Sequence, residues 1–393
     1  MAVPTHQGTQ TDVAPLYHRQ HAVHPQRDEG NVMGKENRFF QLLKLAVGTG
    51  SAPETPLSAQ EWIEVLELAE KQKLTGVLLG AAEVLPAASK PPRPLLMQWI
   101  GRTHQIERVN QAINKEAVRV SEFFARKGMR SMILKGQGVA QLYPHPLRRM
   151  PGDIDIWLEG SREEIIRLAR ETDPKAEVVY HHVDMELSKV CEVEVHTTPS
   201  WMFNPLTNYR LQALCRQWKR NGFGQETTLE GTDGSVRVPE GEMNRVFLVL
   251  HAYRHLLSEG VGLRQLMDIF YVFRQETSPE ERARTARQWH ALQMTDFAAA
   301  VMWVLETIFG LERKYMPVSP SERRGRRLLE EIMRAGNFGQ FDPRLSRERM
   351  QTDGGRFSTS LKRMWGFVHD YPQEVCWAPF FKIGHYGWRK MKN

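Results

Sequence analysis

Ile-Leu-Lys-Gly-Gln-Gly-Val-Ala-Gln-Leu-Tyr (133–143), followed by Pro-His-Pro-Leu-Arg-Arg-Met-Pro-Gly-Asp-Ile-Asp-Ile-Trp-Leu (144–158), is the stretch around which the chain is organised. It reads as strand, turn, helix, loop, strand. The apolar run 131–134 predicts a short strand ending at Lys135-Gly136. Gly136 and Gly138 free the backbone where that strand hands over to a helix. Residues 139–143 predict a short helix, stopped by Pro144 and Pro146. Beyond it, Asp153 and Asp155 alternate with Ile154 and Ile156. At strand period the two carboxylates share one face and the two isoleucines the other.

Two carboxylates on one face repel each other unless a cation lies between them. Oxygen ligands at this spacing suit Mg²⁺ (or Mn²⁺), which takes one or two protein carboxylates plus substrate phosphates. The glycine turn offers free N–H groups and a positive helix end, both suited to a phosphate. A solvated edge strand beside an ordinary turn is the bland alternative. The two half-patterns together favour a phosphate held next to its metal.

The runs L-K-G-Q-G, L-Y and R-R-M-P-G-D-I-D-I resemble the DNA polymerase β-type nucleotidyltransferase superfamily, and most closely its branch of uncharacterised nucleotidyltransferases. The resemblance extends over residues 40–385 and is concentrated in 133–158, 192–196 and 251–268. Lys135-Gly136 stand where the wider superfamily has Gly-Ser, a departure at the usual serine–phosphate contact. The resemblance implies an α+β fold, with a small mixed β-sheet core flanked by N- and C-terminal helical regions. It implies transfer of a nucleotidyl group from an NTP, ATP first among them, to an acceptor hydroxyl with release of pyrophosphate. Asp153 and Asp155 would then be metal ligands, and Lys135, Gly136, Gln137 and Arg149 would lie at the nucleotide. Arg149 matches the family arginine four residues before Asp153.

A length of 393 residues allows two domains. No run of about eighteen apolar residues predicts a transmembrane helix, and the N-terminus shows no secretory h-region. Cys191, Cys215 and Cys376 lack metal-ligand spacing and cannot all pair, which points to a reducing cytoplasm. The net charge of +7 mildly favours anionic ligands.

Residues 1–35 lack apolar periodicity and read as a disordered tail, with Met33 an alternative start. Residues 36–127 read as a helical subdomain, 128–239 as the nucleotidyltransferase core and 240–393 as a C-terminal helical region. In the first of these, Ser58 and Glu61 form a capping box and 95–127 a long amphipathic helix. In the core, Ser161 caps a helix over 161–172, and 177–187 and 190–196 read as two strands joined by a tight turn. Residues 197–239 read as loop-rich, with Trp201, Phe203 and Trp218 either covering a nucleotide or packing.

Glu192, Glu194 and His196 share one face of the last core strand. A polar face on an internal strand needs partners. A third carboxylate beside Asp153 and Asp155 would complete a two-metal site for phosphoryl transfer. By resemblance that position is Glu194, two residues before His196, with Glu192 its rival and a solvated salt-bridged face the bland alternative. Further on, His251 and His255 lie four apart on a helix, but Ala252 replaces the glutamate of H-E-x-x-H, which argues against zinc. The resemblance places His251, His255, Arg264 and Asp268 near the phosphate end of the cleft. Arg264 and Asp268 also read as a plain i,i+4 pair. The C-terminal region is basic from Arg323 onward, through Arg344, Arg347 and Arg349, and is compatible with nucleic-acid or membrane-surface binding or with solvated helix faces.

Three rivals to the transferase differ in what they do with nucleotide. A non-catalytic binding or regulatory module would bind NTP without releasing pyrophosphate. A kinase-like phosphotransferase on the same fold would move the γ-phosphate. A basic scaffold would show no metal dependence. The acceptor stays open among sugar, antibiotic, peptide, protein side chain and tRNA end.

Overall fold

The structure is a computed structural model that describes residues 29–342 and 353–392. The stretch read as a tail falls outside these residues up to 28, and its remainder forms the start of helix α1 (Glu29–Ala46). Helices α2 (Ala59–Lys71), α3 (Thr75–Val84) and α4 (Arg93–Arg126) follow. The Ser58 hydroxyl accepts the Glu61 amide and the Glu61 carboxylate accepts the Ser58 amide, so α2 starts at the expected capping box.

The core sheet is then laid down. Its strands are β1 (Ser131–Ile133), β2 (Ile154–Leu158), β3 (Glu177–Val178), β4 (His182–Asp184) and β5 (Val193–His196), in spatial order β1-β2-β5-β4-β3. Only β2 and β5 run parallel; the other neighbours are antiparallel, which makes the sheet mixed. A single helical turn, α5 (Gln137–Ala140), links β1 towards β2, and α6 (Arg162–Thr172) links β2 to β3. Ile154, Ile156, Val183, Val193 and Val195 form the apolar face, packed with Ile113, Ala117, Val120 and Phe124 of α4 and Ile165 and Ala169 of α6. The opposite face carries the site.

Two segments differ from the reading above. Residues 177–187 are not one strand but the hairpin β3–β4, because Val178 and Val183 pair across it and both enter the core. Within 197–239 lies a sixteen-residue helix, α7 (Pro205–Arg220), and a hairpin of β6 (Gln225–Thr228) and β7 (Ser235–Val238). The Asn204 side chain caps α7, Pro205 opens it, and Leu211, Cys215 and Trp218 form its buried stripe. Trp218 and Phe203 are core residues, so their role is packing.

The remaining chain is helical: α8 (Gly241–Ser258), α9 (Leu263–Phe273), α10 (Pro279–Ala291), α11 (Thr295–Phe309), α12 (Glu322–Ala335), α13 (Asp353–Trp365), α14 (Pro372–Val375) and α15 (Ala378–Lys392). These helices share one large core with α1 to α3, including Phe39, Trp62, Phe270 and Phe297. Several C-terminal arginines are paired within the fold, Arg324 with Asp296, Arg327 with Asp370 and Arg363 with Glu331, whereas Arg344, Arg347 and Arg349 lie outside the described residues. Among the described residues no helix is long and apolar enough to cross a membrane.

Candidate active site

The site starts from strand register. In the parallel pair β2–β5, Asp155 lies opposite Glu194, Ile154 opposite Val193 and Ile156 opposite Val195. Side chains alternate along each strand, so the valines and isoleucines turn together to the core and the acids together to the other face. Asp153, just ahead of β2, joins them. One carboxylate oxygen from each of Asp153, Asp155 and Glu194 lies within 4.8 Å of the others. Glu192 is exposed and outside this group.

Cationic groups already crowd these acids. Lys135 Nζ lies 2.9 Å from Asp155 and 3.6 Å from Asp153. His196 Nε2 lies 2.9 Å from Asp155 and 3.4 Å from Glu194. Burial opposes charge on all of them, yet the pairing prevails. Lys135 is held above its ordinary pKa by Asp155 and Asp153. His196 is pushed up to about 9 by its bonds to Asp155 and Glu194. Asp155, despite burial, is held below the usual carboxylate range by Lys135 and His196. Glu194 is lowered in the same way by His196 and His182.

The glycine turn sits beside these acids. Gly136 has φ +59° and ψ −112°, a conformation reserved for glycine, and a side chain there would approach the Asp153 carbonyl oxygen at 3.6 Å. The helix after it is one turn long, so the positive helix end expected there is small. Gln137 does not face the cleft. It is buried, and its amide nitrogen donates to Asn110 at 3.2 Å and Asn114 at 2.6 Å, tying α5 to α4.

Arg149 is buried against Asp268 in a two-pronged pair, with both N–O distances 2.8 Å, and the Tyr143 hydroxyl donates to the same carboxylate at 2.6 Å. The expected Arg264–Asp268 pair therefore gives way to Arg149–Asp268. Arg264 instead donates to the Pro151 carbonyl at 3.1 Å and to that of Met150 at 3.4 Å, bracing the loop before Asp153. His251 and His255 meet at 2.9 Å, and His251 lies 3.5 Å from Lys135 Nζ. Burial and the nearby Lys135 charge push His251 well below its ordinary pKa, leaving it neutral. A cleft between the sheet and helices α8 and α9 is lined by Lys135, Gly136, Asp153, His251, Arg264 and Phe338. A larger cleft between α12 and α13 is lined by Arg327, Glu330, Glu331, Arg334, Lys362 and Arg363, and within it Glu331 pairs with Arg334 and Arg363.

Sequence reasoning passed over His181, His182 and Phe338. The adjacent histidines carried the signal, because the β4–β5 register sets His182 opposite His196 and Asp184 opposite Glu194.

Residues 58–310, more than half of the chain, match the family model described as uncharacterised nucleotidyltransferase. The chain belongs to the uncharacterised nucleotidyltransferase family of the polymerase β-like superfamily. No curated protein matches it. Among solved structures it is similar to an antigenic nucleotidyltransferase-like protein from Paracoccidioides brasiliensis, with 15% identity over 46% of this chain and 93% of that one. Their TM-score of 0.28 is too low for anything to be carried across. In this member of the nucleotidyltransferase family, three carboxylates converge on one face of the sheet, and one of them, Asp153, lines a cleft together with Lys135 and the Gly136 turn. Such a donor set suits a hard divalent cation and an anionic ligand.

Proposed function

We propose that the chain is a metal-dependent nucleotidyltransferase that moves a nucleotidyl group from an NTP, ATP first among them, to an acceptor hydroxyl. The observation that carries this reading is the Asp155–Glu194 rung of β2–β5, which brings a third carboxylate to the two aspartates. The donor set fits Mg²⁺ or Mn²⁺, since all three groups are carboxylates. Asp153 and Asp155 would hold the cation that neutralises the triphosphate, and Glu194 would complete the site for the one that neutralises the attacking oxygen.

The chain's own groups do the rest by position and charge. Lys135 and the Gly136 turn border the cleft where phosphates would lie. Lys135 keeps its proton there, opposite the acids. His196 carries a proton at Nε2 between Asp155 and Glu194, fixing both carboxylates before substrate arrives. Arg149, locked to Asp268, and Arg264, bonded to the 150–151 carbonyls, hold the loop that presents Asp153. The acceptor oxygen would attack the α-phosphate in line, and pyrophosphate would leave.

A second reading rests on Lys135. Its ammonium already neutralises Asp155 and Asp153, which suits a module that binds nucleotide without turnover. Incubation with α-labelled and γ-labelled NTP, Mg²⁺ and cell extract separates the cases. Label from the α-phosphate on an acceptor, with pyrophosphate released, supports the transferase. Transfer of γ-label marks a kinase-like reaction, and nucleotide binding with neither product marks the binding module.

A further inference from the structure

Beside the three carboxylates lies a cluster of different chemistry. His181, His182 and His196 place their rings 4.3, 5.1 and 5.5 Å apart, centre to centre, and all three are buried. Consecutive residues in a regular strand point to opposite faces. Here His181 lies in the turn just before β4, and both rings reach the same side. One atom from each of these histidines and one oxygen of Glu194 lie within 4.8 Å of one another.

The separations have the size of a coordination shell. His182 Nδ1 is 3.1 Å from His181 Nε2 and 3.5 Å from Glu194 Oε2, and His196 Nε2 is 3.4 Å from that same oxygen. Four ligands at Zn–N and Zn–O lengths of about 2.0–2.1 Å in a tetrahedron stand about 3.3–3.4 Å apart. The outer side of His182 is also arranged for a metal. Its Nε2 lies 3.0 Å from Asp184, which fixes the proton on Nε2 and leaves the Nδ1 lone pair facing inward. That lone pair lies on the inner side of the cluster, 3.1 Å from His181 Nε2 and 3.5 Å from Glu194 Oε2.

We infer that His181, His182, His196 and Glu194 form a binding site for a first-row divalent transition-metal ion, with Zn²⁺ the ion their four-ligand set fits. Imidazole selects such ions, whereas Mg²⁺ prefers carboxylate and water. This site is chemically distinct from the three-carboxylate group and shares only Glu194 with it. It does not depend on nucleotidyl transfer. Binding would replace the proton that His196 Nε2 shares with Asp155 and Glu194, so the ion would report on the neighbouring acids through two groups.

The test uses the full chain, stripped of metal by chelation and dialysed against Zn²⁺ alone, then against Zn²⁺ with excess Mg²⁺. One Zn²⁺ per chain, retained against Mg²⁺, is expected, and Co²⁺ in its place should give the intense visible absorption of a tetrahedral centre. Asp184→Asn should weaken Zn²⁺ binding about 10–100-fold by freeing the His182 ring. His182→Gln should weaken it at least as much, in chains whose far-ultraviolet circular dichroism matches the parent. Asp153→Asn should keep Zn²⁺ while losing any Mg²⁺-dependent transfer, which separates this inference from the proposed activity. Absence of stoichiometric Zn²⁺, its displacement by Mg²⁺, or equal loss in Asp153→Asn and folded His182→Gln would overturn the inference.

Discussion

Glu194 faces Asp155 across a single rung of the parallel β2–β5 ladder. Slipping β5 by one residue would turn Glu194 to the face of Ile154 and Ile156 and leave the aspartates without a third acid. The Val193 and Val195 side chains, buried in the core beneath the sheet, prevent that slip. Glu194→Gln is therefore expected to lower turnover by about 10²–10³-fold, the scale for loss of one preorganised charge at a reacting group. Nucleotide affinity should hold better than turnover in this variant. Exposed Glu192→Gln should be nearly silent in the same transfer assay, and a dead Glu192→Gln beside an active Glu194→Gln would reverse the assignment.

How much of this could be read beforehand follows from how local each signal is. The alternation of Asp153 and Asp155 with isoleucine is local, and its consequence for the two faces appears directly in β2. The capping box at Ser58 is equally local. Pairing across the chain is not. Asp268 offers itself to Arg264 at helical spacing, but Arg149, 119 residues away, presents both prongs to it. Lys135 reads as a phosphate ligand from its turn, while its nearest partners are acids brought back by β2. The buried stripe of α7 was hidden by the polar residues and glycines around it, although Asn204-Pro205 marked its start.

The Arg149–Asp268 pair, with Tyr143 on the same carboxylate, gives a second expectation. All three groups are buried, so removing one partner strands the other charge away from water. Asp268→Ala should cost about 3–5 kcal/mol in urea unfolding, as for other broken buried pairs. Replacing both partners, Arg149→Met with Asp268→Leu, should recover much of that loss. An Arg149→Met variant of parental stability but weakened NTP binding would instead make Arg149 a nucleotide contact.

Glu374 of α14 supplies a pH-dependent expectation away from the site. Its carboxylate accepts the Phe203 amide at 2.7 Å, the Thr207 hydroxyl at 3.0 Å and the Asn204 amide at 3.3 Å, at the start of α7. Burial outweighs these bonds and pushes Glu374 from 4.5 up to about 7. The folded chain then binds a proton that the unfolded chain has already lost within that window. Its contribution to stability is complete below pH 4.5 and is lost as pH rises through about 7. Glu374→Gln should flatten this part of the stability–pH curve, measured by urea unfolding between those limits. An unchanged slope would assign the dependence to other groups.

Lys135 carries the last expectation, because its ammonium lies where a cation would balance the acids. It is 2.9 Å from Asp155, 3.6 Å from Asp153 and mostly buried. Lys135→Met keeps an apolar stem of similar length and removes the charge. Three carboxylates within 4.8 Å then face one another without it. In the absence of divalent ions this variant should melt lower than the parent. Mg²⁺ or Mn²⁺ should then restore more stability to the variant than it adds to the parent, since the added ion relieves the repulsion that His196, paired to Asp155 and Glu194, leaves when Lys135 is gone. An ion present at about 100 times its Kd stabilises by about 2.7 kcal/mol, a gain that thermal melting across a Mg²⁺ titration resolves. NTP affinity should fall in the same variant, because the phosphates lose a fixed positive charge. Adding Asp155→Asn should abolish the extra Mg²⁺ response by removing the central ligand. If Lys135→Met responds to Mg²⁺ no more than the parent does, the three acids are a salt-bridged face completed by the lysine, and the metal assignment falls.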